Sequence, residues 1–407
     1  MSAEESMEQA CARVRTWLHE HAWPYWAKHG VDRVHGGFVE YLDLAGHDGG
    51  ASFKRVRAQA RQLYCFSQGA LYGFPGAHEI SDNCWQFFNT HARRPTGGWA
   101  RCMDRTGVII DPTSDAYDLA FVLFAHAWRY RLSHDPALIE SAAEVIATLN
   151  TDLKAPGGLG WLADANGFGP RQQNPHMHIM EAALEMFDAS GDARFAALAR
   201  QVADLFLGHI IDRETGVLRE FFTADWGHLN TAEGDIVEPG HMLEWVWILL
   251  RAHRLLGLDI LDDVWRLYAF ATHYGTDPRT GLIYDQIRPS GIPLDKDSRL
   301  WPQTEALKAH IAMMETFGLD TRPQISRNVT NLFRYYLDHA PFGTWIDHRR
   351  SDGTPKVDRI PSTSLYHLQL AFTELLRIEA EVPAMTSHNA GSQVEENYFP
   401  SLMREAG

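Results

Sequence analysis

The sequence predicts an all-α fold: an (α/α)6 barrel of six helix-pair repeats with short β-hairpin or extended turns between them. Three observations predict it. A turn segment with an apolar marker recurs about every 60 residues, an apolar helical run follows each one, and helices with a single apolar face lie between the runs. A period of this length marks stacked repeats, because one helix pair cannot bury its own apolar face and must pack on its neighbours.

The turn segments are GGFVEYLD from Gly36, GGWARCMD from Gly97, GGLGWLAD from Gly157, TGVLREFF from Thr215, TGLIYDQI from Thr280 and FGTWIDHR from Phe342. Their markers Phe38, Trp99, Trp161, Leu218, Ile283 and Trp345 lie 57 to 65 residues apart. Glycine supplies the tight geometry of the turn, and the apolar residues read as a short extended piece. The first helical run is RAQARQLYCFSQGALYG. Pro112, Pro175, Pro239, Pro302 and Pro361 then precede TSDAYDLAFVLFAHAW, HMHIMEAALEMF, GHMLEWVWILLRAH, QTEALKAHIAMMETF and STSLYHLQLAFTELL. Proline suits the first turn of a helix, where its missing N–H has no partner to lose. Segments such as EVIATLNTDL, ARFAALARQVADLFLGHI and LDDVWRLYAFATHY have one wet face and read as partner helices. The proline-led runs are apolar nearly all round and need burial on both sides. A closed double ring provides that burial, whereas an open solenoid leaves one side wetter. Residues 1–385 are therefore expected to form one barrel domain, and 386–407 a polar C-terminal tail.

Composition narrows the partners. The 407 residues are 45% hydrophobic and 22% charged, which excludes wholesale disorder. Lys and Arg total 37 against 52 acidic residues, a net charge of −15 that argues against nucleic acid or anionic membrane as a partner. Four cysteines without a C-x-x-C pair make neither a disulfide framework nor a thiolate zinc site. With no basic and apolar leader at the N-terminus, a cytoplasmic protein is expected. Apolar stretches such as MLEWVWILL are too short to span a bilayer.

In such a ring the starts of the inner helices converge on one mouth. The polar residues there are Arg57, Arg61 and Gln62; Asp115, Tyr117 and Asp118; Asn174, His176, His178 and Glu181; His241 and Glu244; Trp301, Gln303 and Glu305; and Tyr366 and His367. Arg61, Asp118, His178, His241, Thr304 and His367 recur at steps of 57 to 63 residues and occupy equivalent positions. Each has an ordinary structural reading. Asn174 reads as an N-cap, Asp118, Glu181 and Glu244 as acids favoured by a helix start, and Trp301 as a lid on the core. His176 lies two residues from His178, about 200° round a helix, and faces away from it. Taken together, they permit two chemistries. His178, Glu181, His241, Glu244 and His367 offer metal ligands, but there is no H-E-x-x-H, and His176 and His178 splay apart. No metal and no cofactor are expected. The other chemistry is acid–base work on a polyol: two histidines remove and return a carbon-bound proton while Arg and Glu hold hydroxyls. It suits an aldose–ketose isomerase or a sugar 2-epimerase.

From about Trp17 to Arg377 the chain resembles the N-acylglucosamine 2-epimerase family, on the motifs ARQLYCFS, DAYDLAF, NPHMHIMEA, GHMLEW, WPQTEA and STSLYHL in this order and spacing. The resemblance implies an (α/α)6 barrel and metal-free chemistry through two histidines, His241 of GHMLEW and His367 of SLYHL. It implies that Arg61 holds the enediolate oxygens, and that Asn174 and His178 contact hydroxyls. It also implies a part for His178 in ring opening, with Tyr117, Glu244, Trp301 and Glu305 completing the pocket. The expected activity is interconversion of D-mannose, or a related monosaccharide, with D-fructose through a cis-enediolate. The alternative is 2-epimerisation of mannose and glucose, or of N-acylglucosamine and N-acylmannosamine. Disaccharide epimerases often carry two tryptophans before the proline; here Leu300-Trp301 disfavours a disaccharide. A phosphosugar is disfavoured by the lack of a Gly-rich phosphate nest. Two further classes are an (α/α)6 glycoside hydrolase using Asp115 or Asp118 with Glu244, and a non-catalytic sugar-binding protein, against which both histidines argue. A homodimer is compatible with the sequence.

Overall fold

In the computed structural model, which describes residues 5–339 and 341–379, the repeat is a helix of the inner layer followed by one of the outer layer. Two helices, α1 (Met7–Thr16) and α2 (Trp23–His29), joined by a π-helical turn over Trp17–Ala22, form the first outer element. Inner–outer pairs follow: α3 (Val56–Leu71) with α4 (Ala77–His91), α5 (Ala116–Ser133) with α6 (Ala137–Asp152), and α7 (Gln173–Ser190) with α8 (Ala193–Leu205). The series ends with α9 (Pro239–Leu256) and α10 (Leu261–Tyr274), α11 (Leu300–Phe317) and α12 (Arg322–Leu332), and the last inner helix α13 (Ser364–Ile378). The tail expected at 386–407 lies outside the described residues.

Successive inner helices pack on one another and α13 packs back on α3, so the ring is closed; α1 completes the outer layer against α12 and α13. The burial follows the sequence pattern. Every residue of α9 from Pro239 to Leu250 is buried, whereas α10 buries Asp263, Val264, Leu267, Tyr268 and Ala271, one face at helical spacing. Each large apolar side chain fully buried here contributes roughly 1.5–3 kcal/mol, which is what holds the double layer together. Gly257 shows how a turn between layers is made: at φ 67° it ends α9, and its N–H donates to the His253 carbonyl.

The extended segments gather at the mouth. The markers Phe38, Trp99, Trp161, Leu218 and Ile283 each bridge back antiparallel to a residue one or two past the end of the preceding outer element, and all are buried. Side chains at the starts of inner helices lock these turns. Gln59 Oε1 accepts from the Phe38 N–H, Gln303 Oε1 from the Ile283 N–H, and His176 Nε2 from the Trp161 N–H. Short strands then staple neighbouring repeats: Phe53–Arg55 to Cys102–Asp104, Arg171–Gln172 to Phe221–Phe222, and Ser298–Arg299 to His348–Arg349. Tyr41–Leu42 pairs with Ile360–Pro361, joining the first repeat to the last. GGLGWLAD departs from the expected pattern, since it contributes only single bridges at Trp161 and Asp164.

Two local expectations need correction. Asn174 is not an N-cap: α7 begins at Gln173, after an extended Gln172 with no side-chain cap, and Asn174 sits inside the first turn. Proline does not always open a helix either. Pro239 is the first residue of α9, but Pro175 and Pro302 are third in theirs, and Pro361 lies in a strand ahead of α13. Among the described residues no helix is long and apolar enough to cross a membrane.

Candidate active site

The mouth brings together side chains from all six inner helices. His241, one turn into α9, points Nδ1 at Glu220 Oε2, 2.9 Å away, with Glu238 Oε2 at 3.5 Å. His367 on α13 points Nδ1 at Glu305 Oε1 on α11, 2.8 Å away. His178 on α7 points Nδ1 at Glu181 Oε2, 2.9 Å away, and Tyr366 donates to the other oxygen of Glu181 at 2.5 Å. In all three, a carboxylate on Nδ1 orients the ring and leaves Nε2 without a hydrogen-bond partner among the described residues. Such an arrangement defines the tautomer and offers one nitrogen to a substrate.

Trp301 links the two distant histidines. Its ring centroid is 4.7 Å from that of His241 and 5.8 Å from that of His367. It is half-buried, so it is not simply a lid on the core, while Leu300 beside it is wholly buried and offers no second platform. Gly240 allows this contact, because a Cβ there would come within 2.7 Å of the indole. Arg61 on α3 donates to the Tyr117 hydroxyl of α5 and lies over the Phe121 and Tyr366 rings, 4.0 and 5.0 Å from their centroids. Tyr117 meets His178 edge to face at 5.0 Å. A cavity of about 430 Å³ opens on this side of the mouth, lined by Arg57, Arg61, Asp115, Tyr117, Asn174 and Thr363 among others. Asn174 thus joins the site at the cavity wall, apart from the histidine pair.

The environment divides the two histidines. Burial opposes charge on His241, but Glu220, then Glu238 and Glu244, outweigh it and raise its pKa to about 9. His367 goes the other way: burial, reinforced by Arg61, Lys308 and His178, holds it well below the usual 6.5. His178 is lowered to about 4, chiefly by burial. Glu244 is wholly buried, makes no hydrogen bond, and is raised well above the carboxylate range by burial and by the neighbouring Glu305.

The remaining polar residues expected at the mouth make structural contacts. His176 donates from Nδ1 to the Gln172 carbonyl while Nε2 accepts from Trp161, and burial lowers its pKa to about 4. Gln62 donates to the Ser362 carbonyl, tying α3 to the last repeat. Asp115 caps α5 and pairs with Arg101, and Asp118 lies 2.7 Å from Arg57. Glu181 is not a helix-start acid, since it lies two turns into α7 and serves His178 and Tyr366. Two residues escape a reading from the sequence. Glu220 lies in a turn segment, two residues past the marker Leu218; Glu40, Asp285 and Asp347 hold the same place after their own markers, and that periodic acid was the available signal. Lys308, wholly buried one turn after Glu305, lies in an apolar run without any signal.

His178, Glu181 and Glu244 bring ligand-type atoms within 4.8 Å of one another, as do Glu244, Glu305 and His367. The chain provides its own positive charge among these carboxyls: Lys308 Nζ is 2.6 Å from Glu305 Oε2.

A closed ring of helices with imidazole–carboxylate pairs at its mouth is an arrangement able to move protons. Comparison with known proteins gives the particular kind. Residues 36–371 match the N-acylglucosamine 2-epimerase (GlcNAc 2-epimerase) family, and the chain belongs to it, an enzyme among sugar isomerases and epimerases. It is 32% identical over 368 residues to a mannose-6-phosphate isomerase of Rhizobium meliloti, covering 88% of this chain and 95% of that one. A cellobiose 2-epimerase of Bacteroides fragilis is 23% identical over 358 residues, 82% of this chain and 90% of that one. The fold matches a crystal structure of a D-mannose isomerase with a TM-score of 0.80 at 20% identity, over 90% of this chain and 97% of that one.

Proposed function

We propose that the protein is an aldose–ketose isomerase interconverting D-mannose, or a related monosaccharide, with D-fructose, and that His367 is its base and His241 its acid. The observation that carries this reading is a pair of carboxylate-oriented imidazoles on the same indole, one pushed toward its cation by Glu220 and the other held toward its neutral form by burial. His367 Nε2 takes the proton from C2 of the open-chain aldose, and His241 gives its proton to O1, leaving an enediol. His367 returns its proton to C1 as O2 loses its own proton to His241, so both histidines end as they began. Arg61 stabilises the oxygens while they carry charge, and Asn174, His178, Tyr117 and Glu244 hold hydroxyls. Glu305 orients His367, and Trp301 gives the sugar a flat face. Each acid–base group supplies ~10²–10⁴-fold in rate.

The single indole supports a monosaccharide over a disaccharide. An uncharged sugar is supported by the pairing of two of the cavity's three arginines, Arg55 with Glu40 and Arg57 with Asp118, which leaves Arg61 alone without a carboxylate partner among the described residues. The named activity of the Rhizobium relative makes mannose 6-phosphate the necessary comparison. Epimerisation is the second reading, favoured by the cellobiose 2-epimerase relative; it requires return of the proton to the opposite face of C2. Four free cysteines, three of them buried, support a reducing cytoplasmic setting.

The test is incubation with mannose, mannose 6-phosphate, glucose, fructose and N-acetylglucosamine in D₂O, followed by NMR, with and without chelator. Fructose from mannose with deuterium at C1 is the expected result, unchanged by chelator. Glucose alone from mannose makes the enzyme an epimerase. No deuterium at C1 or C2 of any sugar refutes the acid–base reading, and loss of turnover on chelation that a divalent cation restores refutes the metal-free one.

A further inference from the structure

The two imidazole–carboxylate pairs differ in one respect that neither motif reveals. Glu305 is shared: Oε1 faces His367 Nδ1 at 2.8 Å, and Oε2 faces Lys308 Nζ at 2.6 Å. Glu220 has no Lys or Arg partner among the described residues; its Oε2 takes hydrogen bonds from His241 and Gln173, and Oε1 is buried without any. Lys308 is wholly buried, and its ammonium stands 4.2 Å from the centroid of the Trp247 ring. An ammonium so deep is costly unless its charge is met, and Glu305 meets it directly. The lysine lies one turn after Glu305 on α11 and meets the carboxylate oxygen that the imidazole does not.

We propose that Lys308 is a positioning residue that decides which histidine takes a proton and which gives one. Its ammonium fixes the Glu305 carboxylate and absorbs its charge. Glu305 then accepts a hydrogen bond from His367 Nδ1–H without drawing a second proton onto the ring, and the Nε2 lone pair stays open to substrate. Around His367 the charged and titratable groups are Arg61 on α3, His178 and Glu181 on α7, Glu244 on α9, Glu305 and Lys308 on α11, and Tyr366 on its own helix. Lys308 is the one among them that neutralises Glu305 by contact. At Glu220 no cation does this, and His241 stays charged. This rests on the acid–base reading of the pair.

The test follows the charge of His367 directly, by NMR of isotope-labelled histidine in intact enzyme, alongside the pH dependence of kcat. In the native protein His367 is neutral with the proton on Nδ1 at pH 7, and His241 is cationic; a cationic His367 there overturns the proposal. In Lys308→Met, His367 becomes cationic at neutral pH. The acid limb of kcat rises toward neutrality, kcat at pH 7 falls by ~10²-fold, and KM and the alkaline limb stay in place. The double variant Glu305→Gln/Lys308→Met removes both charges and returns His367 to neutral, a rescue that a packing role for Lys308 does not produce. It also carries the test if the single variant does not fold. A neutral His367 in Lys308→Met with an unmoved acid limb overturns the proposal. If the sugars exchange no deuterium, the acid–base reading fails, while the histidine spectra still report on Lys308.

Discussion

Replacing Glu220 by Gln removes one charge beside His241 and keeps the side chain's shape. The wild-type His241 is held at about 9 because Glu220, Glu238 and Glu244 outweigh the burial that lowers it, and Glu220 is the first of the three. Without that charge the pKa moves down toward the ordinary 6.5. At pH 7.5 the protonated fraction then drops from nearly all to roughly one tenth, and kcat/KM for mannose falls by about tenfold. The loss is itself pH-dependent: near pH 6 the variant approaches wild-type activity, and its alkaline limb lies near neutrality instead of near 9. Stability follows the same linkage. A raised histidine pKa stabilises the fold fully below 6.5, and the contribution fades as pH rises through about 9. The variant's Tm deficit is therefore greatest near pH 6 and shrinks above pH 9, and the pair contributes at most about 3 kcal/mol. A profile of kcat/KM between pH 5.5 and 10, with Tm measured over the same range, checks both. An alkaline limb still near 9 in Glu220→Gln, or a loss equal at every pH, refutes the assignment of His241 as a charged acid held by Glu220.

Two further substitutions probe the same mouth. His241→Ala and His367→Ala each lower kcat by ~10²–10⁴-fold while circular dichroism stays that of the wild type; loss of helical signal alongside activity counts against a purely chemical role. Gly240→Ala gains helix propensity, but its methyl meets the Trp301 indole at 2.7 Å and Pro302 Cβ at 2.9 Å. Overpacking costs about 1–3 kcal/mol and displaces the indole. A lower Tm together with a raised KM is expected, and an unchanged KM argues that Trp301 does not touch the sugar.

What could be read from the sequence was whatever repeats or lies close along the chain. The period of about 60 residues, the alternation of all-round apolar and one-sided helices, and the places of His241, His367, Glu244, Glu305 and Trp301 needed no coordinates. Asn174 misled because a small amide before proline resembles a cap; the strand pairing at Arg171–Gln172 brings the helix start forward and turns that amide to the cavity wall. The sequence by itself determined the number of repeats and the helix starts that share one mouth, since both follow from helical periodicity and from stacking. Only the tertiary structure decided that Glu220 serves His241, that Glu305 is divided between His367 and Lys308, and hence that two like side chains are pushed in opposite directions. Closure of the ring sets His367 against Glu305, 62 residues away, and Glu181 against Tyr366, 185 away. In a buried site the charge of an imidazole depends on contacts across such distances and on the water it has lost, and a one-dimensional pattern records neither.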